Sequence, residues 1–324
     1  MAHMPNLSLR LPARRENVLV VRQALTGMAE MLGLDAIDAN DLNTAATEAC
    51  NNVVMHAYRD PDDGADAQHG GDGKEGDEEH AAGPLEVQAQ ANAEGVLLIV
   101  RDRGHGMPSL DPDEAHGARG SLEDEEDDDE EPRVGESARM GLAVIEALAH
   151  SVEFAEIPGG GTEVRMRFAM RPRPSALSDT QAPAGATGTT SSHLDGSALL
   201  PGSVYLRLSP STLARGVLPR VLGALAARAY FTVDRIGEVQ LIAAALAANA
   251  PDSVDGAHLA VGVTVAPRSL ALRIGPLHAG RGESLLSAAA DGLAPVIDRL
   301  ADATGVSSLG GAGESLELEL VDRR

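Results

Sequence analysis

The sequence predicts an α+β protein, with helices on one face of an antiparallel or mixed sheet. Three observations predict it. Apolar residues recur every three to four positions in some segments and alternate or run unbroken in others, which separates helices from strands. Over residues 7–168 these segments follow the order strand, helix, helix, strand, strand, helix, strand, strand, and such mixed order favours helices packed on one side of a sheet. Residues 169–202, rich in Ser, Thr, Gly, Ala and Pro, show neither period and read as a flexible linker between two blocks. A chain of 324 residues is long enough for each block to bury its own core.

Leu7–Pro12 alternates and is stopped by proline, as a short edge-like strand would be. A helix follows over Arg15–Leu32, with Val18, Val21, Leu25, Met28, Ala29 and Leu32 on its apolar face and Gly33 ending it. Asp38 or Asp41 is expected to cap a second helix whose apolar face is Leu42, Ala45, Ala46, Ala49, Val53 and Val54, running to about Tyr58. Leu85–Ala91 and Val96–Arg101 are expected to pair through a turn at Asn92-Ala-Glu-Gly95. A third helix is expected over Met140–His150. Two closing strands, Val152–Ile157 and Glu163–Phe168, are joined by Pro158-Gly-Gly-Gly161.

The net charge of −23 opposes nucleic-acid binding, which needs clustered Lys and Arg, and suits a basic protein partner. Much of the excess sits in two inserts, 60–83 and 111–135, whose acidic runs repel themselves and read as solvated loops. A single cysteine, Cys50, excludes an internal disulfide, and no apolar run approaches the ~20 residues of a membrane span. A cytoplasmic protein without membrane contact is expected.

Glu48 and Asn52 stand one turn apart, on one helical face beside the apolar stripe. The second buried strand ends in Arg101-Asp102-Arg-Gly104-His-Gly106, an acid leaving an apolar strand into a loop whose glycines permit close backbone approach. Gly141 is expected to open the third helix, and Gly160-Gly-Thr162 precedes the last strand. In this order and spacing the motifs resemble those of the GHKL (Bergerat-fold) ATPases, most closely the anti-sigma factor serine kinases of the RsbW type. Thr47-Glu-Ala-Cys-Asn-Asn52-Val-Val-Met-His56-Ala-Tyr58 is similar to the N box of that group.

The resemblance implies ATP and Mg²⁺ as cofactors. By it, Asn52 would ligate Mg²⁺ and Glu48 would act as general base on an attacking serine hydroxyl. Asp102 would accept a hydrogen bond from the adenine amino group, with Gly104 and Gly106 admitting the nucleotide. Gly141 would bring helix amides to the phosphates, and Thr162 would bond near the adenine. The implied partners are a sigma factor and an anti-sigma antagonist of the STAS type. Two features depart from the pattern. Arg139 stands where the group carries glycine, two residues before Gly141, and would either supply a guanidinium to the phosphates or narrow the loop that hugs them; the segment before it is long and acidic. A regulator that uses ATP only as a structural ligand is therefore the alternative.

A constant offset lays Leu9-Arg-Leu11 on Leu206-Arg-Leu208, Leu25 on Leu222, Ala46 on Ala243 and Asn52 on Asn249. Under it Glu48 falls on Ala245; farther on, Asp102 falls near Pro276 and Thr162 on Glu314. Residues 203–324 are thus expected to form a degenerate second copy of the first unit, without its nucleotide motifs. The two copies are expected to pair within one chain as a pseudo-dimer, a homodimer being the other arrangement.

Overall fold

A computed structural model of the chain describes residues 4–58, 82–105, 134–169, 204–254, 258–287, 295–309 and 313–323. The first half opens with β1 (Asn6–Pro12), α1 (Arg15–Leu32) and α2 (Ala36–Asn52), and a turn of π-helix, Val53–Ala57, extends α2. It continues through β2 (Pro84–Ala91), β3 (Gly95–Arg101), α3 (Val134–Leu148), β4 (Ser151–Glu156) and β5 (Thr162–Ala169). The second half comprises β6 (Val204–Ser209), α4 (Ala214–Arg228), α5 (Val233–Ser253), β7 (Leu259–Ala266) and β8 (Ser269–His278). It ends with two short helices, α6 (Arg281–Ser287) and α7 (Val296–Leu300), then β9 (Ala303–Ser308) and β10 (Gly313–Val321).

Local chemistry fixes the helix ends. Gly33 takes φ 68° and ends α1 in the left-handed conformation, which costs glycine little. The cap of α2 is Asp35, not Asp38 or Asp41: its Oδ1 accepts from the amides of Ile37 and Asp38 at 2.9 and 2.8 Å. An aspartate immediately before the first helical residue reaches the orphan amides, whereas one inside the first turn is already committed to the helix.

The sheet has ten strands in the order β4-β5-β3-β2-β1-β6-β7-β8-β10-β9, paired antiparallel throughout. Counted outward from β1, the first half runs β1-β2-β3-β5-β4. From β6, the second runs β6-β7-β8-β10-β9. β1 is therefore a central strand rather than an edge. Its far side is taken by β6, with Leu7 opposite Leu208, Leu9 opposite Leu206 and Arg10 opposite Tyr205. Behind this junction α1 packs on α4. One hydrophobic cluster runs across both halves and includes Leu7, Leu9, Leu25 and Met28 of the first with Leu206, Leu208, Val217 and Val221 of the second. Among the described residues no helix is long and apolar enough to cross a membrane.

Candidate functional site

The site is assembled where α2 meets α3 and where β3 ends. Glu48 and Asn52 are half-buried on α2, beside the fully packed Ala45, Ala49 and Cys50. α3 begins at Val134, earlier than the sequence suggested, so Gly141 lies inside the helix and does not open it. Glu136, Ala138 and Arg139 are ordinary helix formers, and Gly135, a poor one, falls in the first turn, where it does not delay the start. The value of Gly141 is steric: a Cβ there would sit 3.3 Å from both Asn52 Oδ1 and Glu48 Oε2 and 3.5 Å from Asn52 Nδ2. The missing side chain lets α3 lie against the two polar groups and leaves a small cradle in front of them.

On the other side of the site, Asp102 leaves β3 into a turn held by backbone. It is 4% exposed. Its amide donates to the Thr162 carbonyl at 3.0 Å, and its Oδ1 accepts from the Gly104 amide at 2.8 Å. Burial raises the carboxyl pKa above its ordinary value, and the backbone bonds at Gly104 and Thr162 offset only part of that. Gly104 must be glycine here, because a Cβ would overlap the Ala57 carbonyl. That carbonyl, at the end of the π turn, accepts from the His105 amide at 3.0 Å. On the opposite flank Gly161, at φ 102°, lies against the Asp102 backbone so closely that a Cβ would overlap its carbonyl oxygen.

Tyr58, the last residue of the segment that resembles the N box, ties these parts together. Its hydroxyl donates to the Pro84 carbonyl at 2.6 Å and accepts from the Arg103 amide at 2.8 Å. Burial pushes the phenol up to about 12, so the hydroxyl keeps its proton for that first bond. One side chain thus links the end of the α2 unit, the start of β2 and the Asp102 turn. Glu163, next to Thr162, is also buried and bonded to both Arg101 and Arg165. Burial raises its pKa, but the two guanidiniums outweigh this and hold it below the usual carboxylate range. Cys50 is packed and its thiol is pushed up to about 12 by burial, which makes it a core residue and not a nucleophile.

Of the residues singled out from sequence, Glu48, Asn52 and Gly141 come together at the α2–α3 contact, and Asp102, Gly104 and Thr162 at the β3–β5 end. Gly106 and the side chain of Arg139 lie outside the described residues. The two clusters are joined by the Val53–Ala57 turn, which runs from Asn52 to the carbonyl that seats Gly104. Residues 11–168 match the histidine kinase-like ATPase domain. The sheet-and-helix arrangement of this ATPase-like half is that of a GHKL-like fold. Local similarity also extends to "Serine-protein kinase RsbW". The protein of Bacillus thuringiensis (strain Al Hakam) is 33% identical over 60 residues, 18% of this chain and 38% of that one. That of Bacillus velezensis is 41% identical over 58 residues, 18% and 36% of the two chains. The chain thus spans well under half the length of these relatives.

The residues of the ATPase-like half fit a magnesium nucleotide on structural grounds. A buried carboxylate framed by glycines suits an amino-bearing heterocycle, and a carboxamide oxygen facing a cradle suits a hard cation that prefers oxygen. A separate cavity of about 830 Å³ lies on the open sheet face of the second half, between Tyr205, Gly262, Arg273 and Glu317, and shares no residue with this site.

Proposed function

We propose that the chain is an ATP-binding anti-sigma regulator that captures a sigma factor and phosphorylates a serine on an antagonist of the STAS type. The observation that carries the proposal is the joint placement of Glu48 and Asn52 before the Gly141 cradle, one short turn from a buried Asp102 in a glycine-framed loop. Similarity to serine-protein kinases over part of the same chain supports it. Bound Mg-ATP would supply a transferable phosphoryl group whose charge the cation neutralises.

The chain's own residues divide the remaining work. Asp102 accepts from the adenine amino group and Thr162 bonds beside it. Gly104 and Gly106 let the backbone approach. Asn52 offers its carboxamide oxygen to magnesium, and Glu48 takes the proton of an incoming serine hydroxyl. Gly141 keeps the space before Asn52 and Glu48 open, and the positive charge of Arg139 would complement the phosphates. An acidic chain of net charge −23 attracts a basic partner surface, chiefly by speeding encounter.

Arg139, standing where the resembling kinases have glycine, favours a second reading in which ATP is only a structural ligand. Incubating the chain with labelled ATP and the proteins it captures from its native host separates the two. Under the kinase proposal label passes to serine on a captured protein, and Glu48→Ala abolishes transfer while nucleotide affinity changes little. Undiminished binding with no transfer by the wild type would leave the structural-ligand reading standing.

A further inference from the structure

The contact between the two halves looks symmetric in its backbone and is not symmetric in its side chains. The offset that superimposes the halves places Leu9 on Leu206, and these two residues face each other where β1 meets β6. It also places Gly33 on Tyr230, and both take the left-handed conformation, at φ 68° and 61°. A pseudo-two-fold axis therefore passes between β1 and β6, with α1 and α4 crossing behind it. A homodimer of the first half would use the same surface with a second copy of α1 in the place of α4.

We propose that this seam is built for unlike halves: α1 and β1 accept α4 and β6 and reject a second copy of themselves. The chain is then a monomer whose second half occupies the position of a second subunit. Gly27 and Gly216 meet backbone to backbone. A Cβ on Gly27 would overlap the Gly216 carbonyl, and one on Gly216 would come within 2.6 Å of Met31 Cγ. The residue of α1 equivalent to Gly216 is Leu19. Pairing of α1 with α1 in this geometry would drive a leucine into a gap that does not hold one methyl group.

The polar contacts carry the same asymmetry. Glu30 is paired with Arg220, and Arg228 reaches Asn17, which is fully buried, and Glu16 at 3.7 Å. The α1 residues equivalent to Arg220 and Arg228 are Gln23 and Met31. A second α1 would leave Glu30 facing an amide and would set a thioether against the buried Asn17 carbonyl oxygen, which then loses its donor. Pairing of α4 with α4 fares no better, because the equivalents of Glu30, Glu16 and Asn17 are Ala227, Leu213 and Ala214, and both arginines lose their acceptors. Covalent connection through residues 170–203 adds an effective concentration on the order of millimolar for the correct pairing.

The second half keeps this surface and not the chemistry. Ala245 replaces the base and is fully buried, and the Asn249 amide donates to the Ala245 carbonyl of its own helix at 2.8 Å. Glu314, the equivalent of Thr162, accepts from the amides of Gly280 and Gly282 at 2.8 and 3.2 Å and so satisfies that loop with its own carboxylate. One nucleotide site per two-fold assembly follows. These seam contacts stand whether or not the chain is a kinase.

Cross-linking of the full chain tests it, since Cys50 is buried and silent. In Glu30→Cys/Arg220→Cys a short bis-maleimide should close within one chain and leave the mass near 33.5 kDa at every concentration. In Gln23→Cys/Glu30→Cys, which reports α1 against α1, no covalent dimer should form. Covalent dimer from the second variant, with failure of the first to close internally, would overturn the proposal. Light scattering of the unmodified chain gives an independent reading: a monomer from micromolar to near-millimolar concentration agrees, and a stable dimer contradicts it.

Discussion

Asp102 shows at the scale of one residue how function and stability pull apart. A carboxyl whose folded pKa lies above its ordinary 3.8 binds protons more tightly folded than unfolded. Its contribution to stability is therefore largest in acid and falls as pH rises through the folded pKa. At neutral pH the buried charge is a cost to stability that the backbone bonds offset only in part. Asp102→Asn, which keeps an acceptor for the Gly104 amide, should melt at an equal or higher temperature than wild type at pH 7 while binding ATP at least tenfold more weakly. A lower melting temperature with normal binding would make Asp102 a structural residue. Tyr58→Phe should do the reverse of separating the two properties. Loss of the hydroxyl leaves the Pro84 carbonyl and Arg103 amide without their partner, a cost of about 1–3 kcal/mol. The Asp102 turn should loosen with it, so calorimetry should show several-fold weaker nucleotide binding; unchanged affinity would restrict Tyr58 to stapling the fold. Asp102 and Glu48 were legible in the sequence because their motifs are local. The bonds of Tyr58 were not, since its partners lie 26 and 45 positions away in the chain.

Among the elements, glycines decide how closely the parts of the site approach. Gly104→Ala would press a methyl group into the Ala57 carbonyl, and the turn can accept it only by moving away from the α2 unit. Overpacking of this kind costs about 1–3 kcal/mol. The variant should melt lower and lose ATP affinity by tenfold or more, measured by calorimetry and thermal unfolding; unimpaired binding would mean that the turn does not hold the nucleotide. Strands, helices and their order were readable from periodicity alone. Gly141 stands inside α3 rather than at its start, a placement not legible in the sequence because helix starts without a strong cap leave a weak local signal, and α3 begins at Val134. β1 was misread as an edge for a different reason: its second neighbour, β6, lies far along the chain. A trace of that neighbour was nonetheless present. Asn17, Val20, Ala24 and Gly27 form a second helically spaced stripe on α1, all of it buried, and its ends touch Arg228 and Gly216.

At the scale of the whole molecule, the described residues form a ten-stranded sheet that joins the half matching the ATPase domain to a half outside that match. The hydrophobic cluster is shared between the two halves. Isothermal calorimetry of the full chain with Mg-ATP probes the proposed single magnesium nucleotide site of the first half. Saturable binding of one nucleotide per chain is expected, strongly weakened by Asp102→Asn or Asn52→Ala and nearly untouched by Glu48→Ala. Absence of heat at millimolar Mg-ATP, or two equivalent sites per chain, would contradict it.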